Sequence, residues 1–110
     1  MTVAVVALSV HVVDIMRGRP LAGVQTSLHA EDGASLENRR TGEDGRIDGL
    51  GGAALPPGVY DLRVDPGELA LREGWTLRSA IVRLDLTRPD RYHFPLLLGP
   101  GTVQLYRGVR

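Results

Sequence analysis

A chain of 110 residues is long enough to enclose one hydrophobic core and too short for two, so a single domain spanning residues 1–110 is expected. Its 13 basic residues, all arginine, cancel its 13 acidic ones, which argues against a nucleic-acid binder, and no run of like charges marks a tail or a membrane patch. The absence of cysteine excludes a disulfide framework, a thiolate nucleophile and a cysteine-ligated zinc site, and it suits the reducing cytoplasm.

Met1 to Val10 is apolar but has no basic n-region and no small-residue cleavage site, so it reads as mature protein and not as a signal peptide. No apolar stretch reaches the ~18 residues of a membrane span. The 14 glycines and 7 prolines punctuate short Val/Leu-rich runs throughout the chain, the pattern of an all-β sandwich or barrel.

Val3 to Asp14 predicts the first strand. Its even positions, Ala4 to Val12, are uniformly apolar and should face the core. The odd positions include Ser9 and His11 among small or apolar residues. A strand apolar on both faces is covered on both, here by a loop or another subunit. His11 therefore belongs to a covered surface with polar company. Met16 to Pro20 is a turn. Gly23 to Ala30 alternates cleanly, which points His29 to solvent.

Leu36 to Thr41 is a short polar strand. Asp44-Gly45 is a tight-turn signal, and such a turn holds the next residue, Arg46, on a defined backbone. Gly49 to Pro57 is a connection. Val59 to Val64 predicts a strand with Tyr60, Leu62 and Val64 on one face. Glu68 to Glu73 is the one plausible helix, stopped by Gly74, and Trp75 follows as its packing anchor. Ile81 to Leu86 is a strand with Val82, Leu84 and Leu86 inward. Tyr92 to Leu98 and the segment ending at Tyr106 complete the set. Seven to eight strands and one short helix predict a two-sheet antiparallel β-sandwich.

Near neutral pH the natural general base is histidine, whose ordinary pKa of ~6.5 lies close to working pH. His11 and His93 lie on strands at opposite ends of the chain, and such strands can be neighbours in a sandwich. Two histidines without a third ligand at recognisable spacing do not make a zinc site.

Four segments carry a resemblance. Leu8-Ser9-Val10-His11-Val12-Val13-Asp14 with Gly18-Arg19-Pro20, then Thr41-Gly42-Glu43-Asp44-Gly45-Arg46, then Tyr92-His93-Phe94-Pro95-Leu96, and last Tyr106-Arg107-Gly108 stand in the order of the transthyretin-like family. The chain resembles its 5-hydroxyisourate hydrolase branch in particular, over essentially its whole length. The resemblance implies a transthyretin-type (prealbumin-like) β-sandwich assembled as a homotetramer, a dimer of dimers with its sites in the channel between dimers. It implies cofactor-free hydrolysis of 5-hydroxyisourate in urate degradation, with His11, Arg46 and His93 catalytic and Tyr106 added to them in binding the substrate. The alternative is a non-catalytic transthyretin-like small-molecule carrier or partner-binding module. Two departures bear on that choice: Val109 followed by Arg110 replaces the family's terminal serine, and Gly99 to Leu105 lacks the usual aromatic and hydroxyl residues.

Overall fold

The computed structural model describes residues 4–108. In chain order the strands are β1 (Ala7–Asp14), β2 (Arg19–Pro20), β3 (Gln25–Ala30), β4 (Ser35–Arg40), β5 (Arg46–Asp48) and β6 (Gly58–Asp65). Helix α1 (Glu68–Arg72) precedes β7 (Ala80–Leu86), β8 (Arg91–Gly99) and β9 (Thr102–Leu105). One sheet has the order β2-β1-β8-β9, with β5 also paired to β1; the other has the order β4-β3-β6-β7. This is the two-sheet sandwich expected from the alternation. The additional short strands, β2 and β5, are too brief to show a period of two.

Within that antiparallel sandwich one pair differs. β1 and β8 run parallel, from Ala7 opposite Arg91 to Asp14 opposite Leu98. No hairpin can join parallel neighbours, and here almost the whole chain serves as the connection.

The two sheets meet through their inner faces. Val6, Leu8, Val10 and Val12 are fully buried with Ile47, Leu96 and Leu98 from the same sheet and Leu28, Leu62, Val64 and Leu86 from the other. Each such side chain contributes on the order of 1.5–3 kcal/mol by leaving water. Ala4, expected inward, is exposed, since β1 begins only at Ala7. Trp75 is buried, and its N–H donates to the Ala70 carbonyl (2.8 Å), so it closes the end of α1 as anticipated.

Asp14 holds the even, inward phase of β1 and is buried despite its charge. Its Oδ1 accepts the N–H groups of Met16 (2.9 Å) and Arg17 (3.2 Å), and its Oδ2 accepts from Arg17 Nη1 (3.0 Å). Burial works to raise the pKa of this carboxyl, but the Arg17 and backbone bonds together outweigh it and hold the group below its ordinary value. A buried carboxylate with these partners fixes the turn that leads out of the strand.

Candidate active site

The polar residues of the first sheet gather on its outer face. Along β1, Ser9 and His11 point away from the core because Leu8, Val10 and Val12 point into it. Parallel pairing sets Ser9 beside His93 and His11 beside Pro95. Antiparallel pairing on the other side sets His11 beside Arg46 and Ser9 beside Asp48. Residues directly opposite share a face, so Ser9, His11, Arg46 and His93 occupy one surface. His11 and His93 are diagonal neighbours. A strand spacing of ~4.8 Å and a rise of ~3.3 Å per residue put their Cα atoms roughly 8 Å apart.

Arg46 is not a turn residue projecting from a loop. It opens β5 and is locked into the ladder opposite His11. The Asp44 carboxylate accepts its N–H (3.0 Å), its carbonyl accepts from the Gly42 N–H (3.0 Å), and the neighbouring Gly45 carbonyl accepts from the Val12 N–H (2.8 Å). Gly45 has φ +77°, and a Cβ there would lie 2.5 Å from the Val12 carbonyl oxygen. The turn can press against β1 only because that residue has no side chain. The Arg46 side chain itself is exposed in the single chain.

His93 is 5% exposed, and its Nδ1 lies 2.8 Å from the Ser9 hydroxyl. The chain after β9 keeps the β8 register. Tyr106 N–H donates to the Pro95 carbonyl (3.4 Å) and Gly108 N–H to the His93 carbonyl (2.6 Å). Pro95 lies mid-strand in β8 and lacks an N–H, so the ladder bond that the Tyr106 carbonyl would accept is missing, just past the end of the edge strand β9. Tyr106 thus arrives beside Pro95, across from His11, and is 54% exposed. Arg107 faces the other way. Its guanidinium sits 4.3 Å over the Tyr92 ring and bonds Asp90 (2.9 Å), which ties the segment down. A Cβ on Gly108 would come within 2.9 Å of Pro95 Cδ and 3.3 Å of His93 Cδ2, so only glycine lets the chain cross the histidine this closely. The Tyr-Arg-Gly triplet therefore places a tyrosine on the histidine face, an anchor beneath it and a close crossing over His93. Val109 and Arg110, where the chain departs from its relatives, lie outside the described residues.

The four residues singled out from the sequence, His11, Arg46, His93 and Tyr106, are all brought to this face. Ser9 was missing from that set, although it is the lone small hydroxyl in an apolar strand, in phase with His11. A shallow depression of about 110 Å³, lined in part by Ala7, Ser9, Asp48 and Arg91, continues the site along β1. Among the described residues, no group of three or more histidines and carboxylates is arranged to hold a metal ion.

A second serine–histidine pair lies on the outer face of the other sheet. Ser27 Oγ is 3.0 Å from His29 Nε2, and Asp61 is directly opposite His29. His29 is half-buried there rather than simply solvated. The likeness to a hydrolytic triad ends at Asp61, whose two oxygens are taken by the Arg83 fork (2.9 and 3.1 Å). That fork also holds the Asp61 carboxyl below its ordinary pKa. β3 is bonded on both sides, to β4 and β6, so its N–H groups are spent in ladders and none is aimed at an oxyanion.

An open-faced sandwich with two histidines and an arginine in register on its outer surface defines a protein of transthyretin type that keeps acid–base groups on that face. The sequence profile of the HIUase/Transthyretin family matches residues 8–108, and the chain belongs to that family. A 5-hydroxyisourate hydrolase of Halalkalibacterium halodurans is 38% identical over 111 residues, covering 89% of this chain and 93% of the relative. The structure of Klebsiella pneumoniae 5-hydroxyisourate hydrolase superposes with a TM-score of 0.84 at 36% identity, covering 94% of this chain and 99% of that one. Transthyretin from Sparus aurata superposes with a TM-score of 0.79 at 25% identity, covering 94% and 97%.

Proposed function

We infer that this chain hydrolyses 5-hydroxyisourate to 2-oxo-4-hydroxy-4-carboxy-5-ureidoimidazoline, a step of urate degradation, without a cofactor. The observation that carries this is the register: His11, Arg46 and His93 share one face, in a chain whose relatives bear the name of that hydrolase. The reaction opens a six-membered ring at an amide-like bond. A histidine takes a proton from water as the water oxygen bonds to the ring carbonyl carbon. The C–N bond then breaks and the leaving nitrogen receives the proton, so the net change is the addition of one water. Arg46 faces the same reaction space and offers its donor fork to the oxygen that gains negative charge. Tyr106 orients the substrate from the β9 side.

One chain supplies only a floor for this site. Arg46 and Tyr106 remain exposed, and Val13 and Leu97 on the same face are half-buried. A second copy laid over the face supplies the missing wall, and we propose the dimer of dimers that the resemblance implies. Light scattering at micromolar concentration is expected to give the mass of four chains; a monomer with full activity sinks the interfacial site. A chain without cysteine suits a reducing compartment, and the cytoplasm is the proposed location.

The activity is tested by generating 5-hydroxyisourate in situ with urate oxidase and following its ultraviolet decay. The expected result is decay faster than the spontaneous rate, in proportion to added protein. Decay at the spontaneous rate removes the enzyme and leaves a binding protein of the same fold.

A further inference from the structure

We propose that the outer face of the β4-β3-β6-β7 sheet, where it meets α1, holds a second binding site, for a small molecule that carries a carboxylate together with N–H donor groups.

A cavity of about 540 Å³ opens there, within the size range of a small-ligand site, and its lining is largely polar. Three strands furnish the floor. Arg40 of β4 and Asp65 of β6 stand directly opposite Gln25 of β3, one on each side. Gln25 lies on the outer face, since Thr26 and Leu28 beyond it are fully buried, and residues opposite one another share a face. At ~4.8 Å between strands the Arg40 and Asp65 backbones lie roughly 10 Å apart, with Gln25 between them. Helix α1 forms the other wall. Glu68 and Arg72 both line the cavity and stand four positions apart, so they project from one side of the helix. Ala70 between them is fully buried and fastens the helix to the core.

The charges round this cavity are held apart. Two arginines and two carboxylates face one space, and among the described residues no ion pair joins any of them. Glu68 and Arg72 have the spacing at which a helix pair closes most readily, and it does not close. Arg40 Nη1 donates to the Gly23 carbonyl (3.0 Å), and Asp65 Oδ1 accepts the Gly67 N–H (2.8 Å). Those bonds fix the two groups in place and leave the rest of the guanidinium and the second carboxylate oxygen for another partner.

Such groups complement a bifunctional molecule. Two planar forks converge on a carboxylate, whose two oxygens match their parallel donors. Ionised Asp65 and Glu68 only accept, so they call for N–H donors, and the Gln25 amide serves either. The four charges cancel, which favours a ligand of at most a single net charge over a polyphosphate. The hydrolysis product proposed above is of this class, with its carboxylate and ureido groups. The site itself does not depend on that reaction, because it lies on the sheet opposite the histidines.

The test is a titration of the whole chain followed by proton–nitrogen-15 correlation spectra. Three probes are used: N-carbamoylglycine, which joins a carboxylate to a ureido group; glycine, which joins it to an ammonium; and propionate, which has the carboxylate alone. Saturable shifts of the Gly23, Gln25, Gly67 and Leu69 amides are expected at millimolar N-carbamoylglycine or glycine, and the tighter of the two distinguishes a ureido ligand from an amino acid. Propionate is expected to bind about tenfold or more weakly, for want of N–H donors. Arg72→Gln is expected to weaken binding by about tenfold or more, the scale for losing a charge-assisted hydrogen bond. Arg40→Gln is the second variant, and melting curves show that each variant is read as folded protein. The absence of saturable shifts at these amides with both N–H-bearing probes overturns the proposal. Equal affinity for propionate overturns it too, as does undiminished binding in Arg72→Gln and Arg40→Gln. Shifts confined to the surroundings of His11 and His93 also overturn it, since the probes then occupy the hydrolytic face. A chain that binds the probes but leaves 5-hydroxyisourate to its spontaneous decay loses the hydrolase reading and keeps this site.

Discussion

Replacing Arg46 with alanine is expected to lower kcat/KM for 5-hydroxyisourate by ~10²–10³-fold while leaving the melting temperature within a few degrees of the parent. The two halves of this expectation come from the same geometry. The Arg46 backbone is held by Asp44, Gly42 and the β1 ladder, none of which involves its side chain. The residue is exposed in the single chain, so truncation creates no cavity in the core of the sandwich and strands no charge there. The loss is therefore chemical: the site loses its fixed fork of donors next to His11. Arg46→Lys keeps the charge and is expected to recover only a small part of the rate, because an ammonium cannot present two parallel donors to a planar substrate edge. His11→Ala and His93→Ala are expected to lose ~100-fold or more each, the scale for an acid–base group. A rate for Arg46→Ala within threefold of the parent would take the residue out of the site.

Gly45→Ala is expected to show the opposite balance, with stability lost first. The substitution forces a side chain onto a left-handed backbone, a cost of ~1–2 kcal/mol. It also drives a methyl to 2.5 Å from the Val12 carbonyl oxygen and 3.0 Å from Pro20 Cβ. Crowding of that kind adds ~1–3 kcal/mol, because backbone cannot step aside as a flexible side chain can. The sum, about 2–5 kcal/mol, lowers the melting temperature by roughly 10–20 °C in a chain of this size. Activity falls as well, since relief of the clash pushes the turn, and with it Arg46, away from β1. Gly45→Asn tolerates the left-handed backbone but keeps the clash, and so does not rescue. Gly18 offers the contrast: its φ is +65°, but a Cβ there meets nothing within 4 Å, so Gly18→Asn is expected to be nearly silent. A Gly45→Ala protein melting within 2 °C of the parent contradicts the close approach.

The parts of the molecule legible in the sequence are those governed by local pattern. Alternation in Val3–Asp14, Val59–Val64 and Ile81–Leu86 told inner face from outer face, and Gly74 with Trp75 marked the end of the helix. Arg46 was recognisable as a held residue because Asp44-Gly45 is a local signal. That it begins a strand paired with His11 was not, since three residues are too few to show a period. Ser9 was visible only as an oddity in an apolar strand. Its partner lies 84 positions away, and no spacing rule connects them. Asp14 was legible as the end of the first strand, as it is, but not as a buried carboxylate satisfied by the turn that follows. For Arg46 and Ser9 the missing information was which strand lies beside which; for Asp14 it was that the strand's last inward position stays buried while the turn after it supplies the partners.

The parallel pairing of β1 with β8 has a consequence for the order in which the protein is made. Leu28 and Glu37 in the β3–β4 hairpin are nine positions apart, whereas Ser9 and His93 are 84 apart. Closing the longer loop costs roughly 2 kcal/mol more in chain entropy. Contacts of that range form late and slow the folding of the whole domain. The β1–β8 pairing, which brings the two histidines to one face, is therefore expected to be completed last, after the β3–β4 and β8–β9 hairpins. A ribosome must release nearly the entire chain before His93 can meet Ser9. In refolding from denaturant, hydrolytic activity should return with the slowest phase, behind the strand signal of the hairpins.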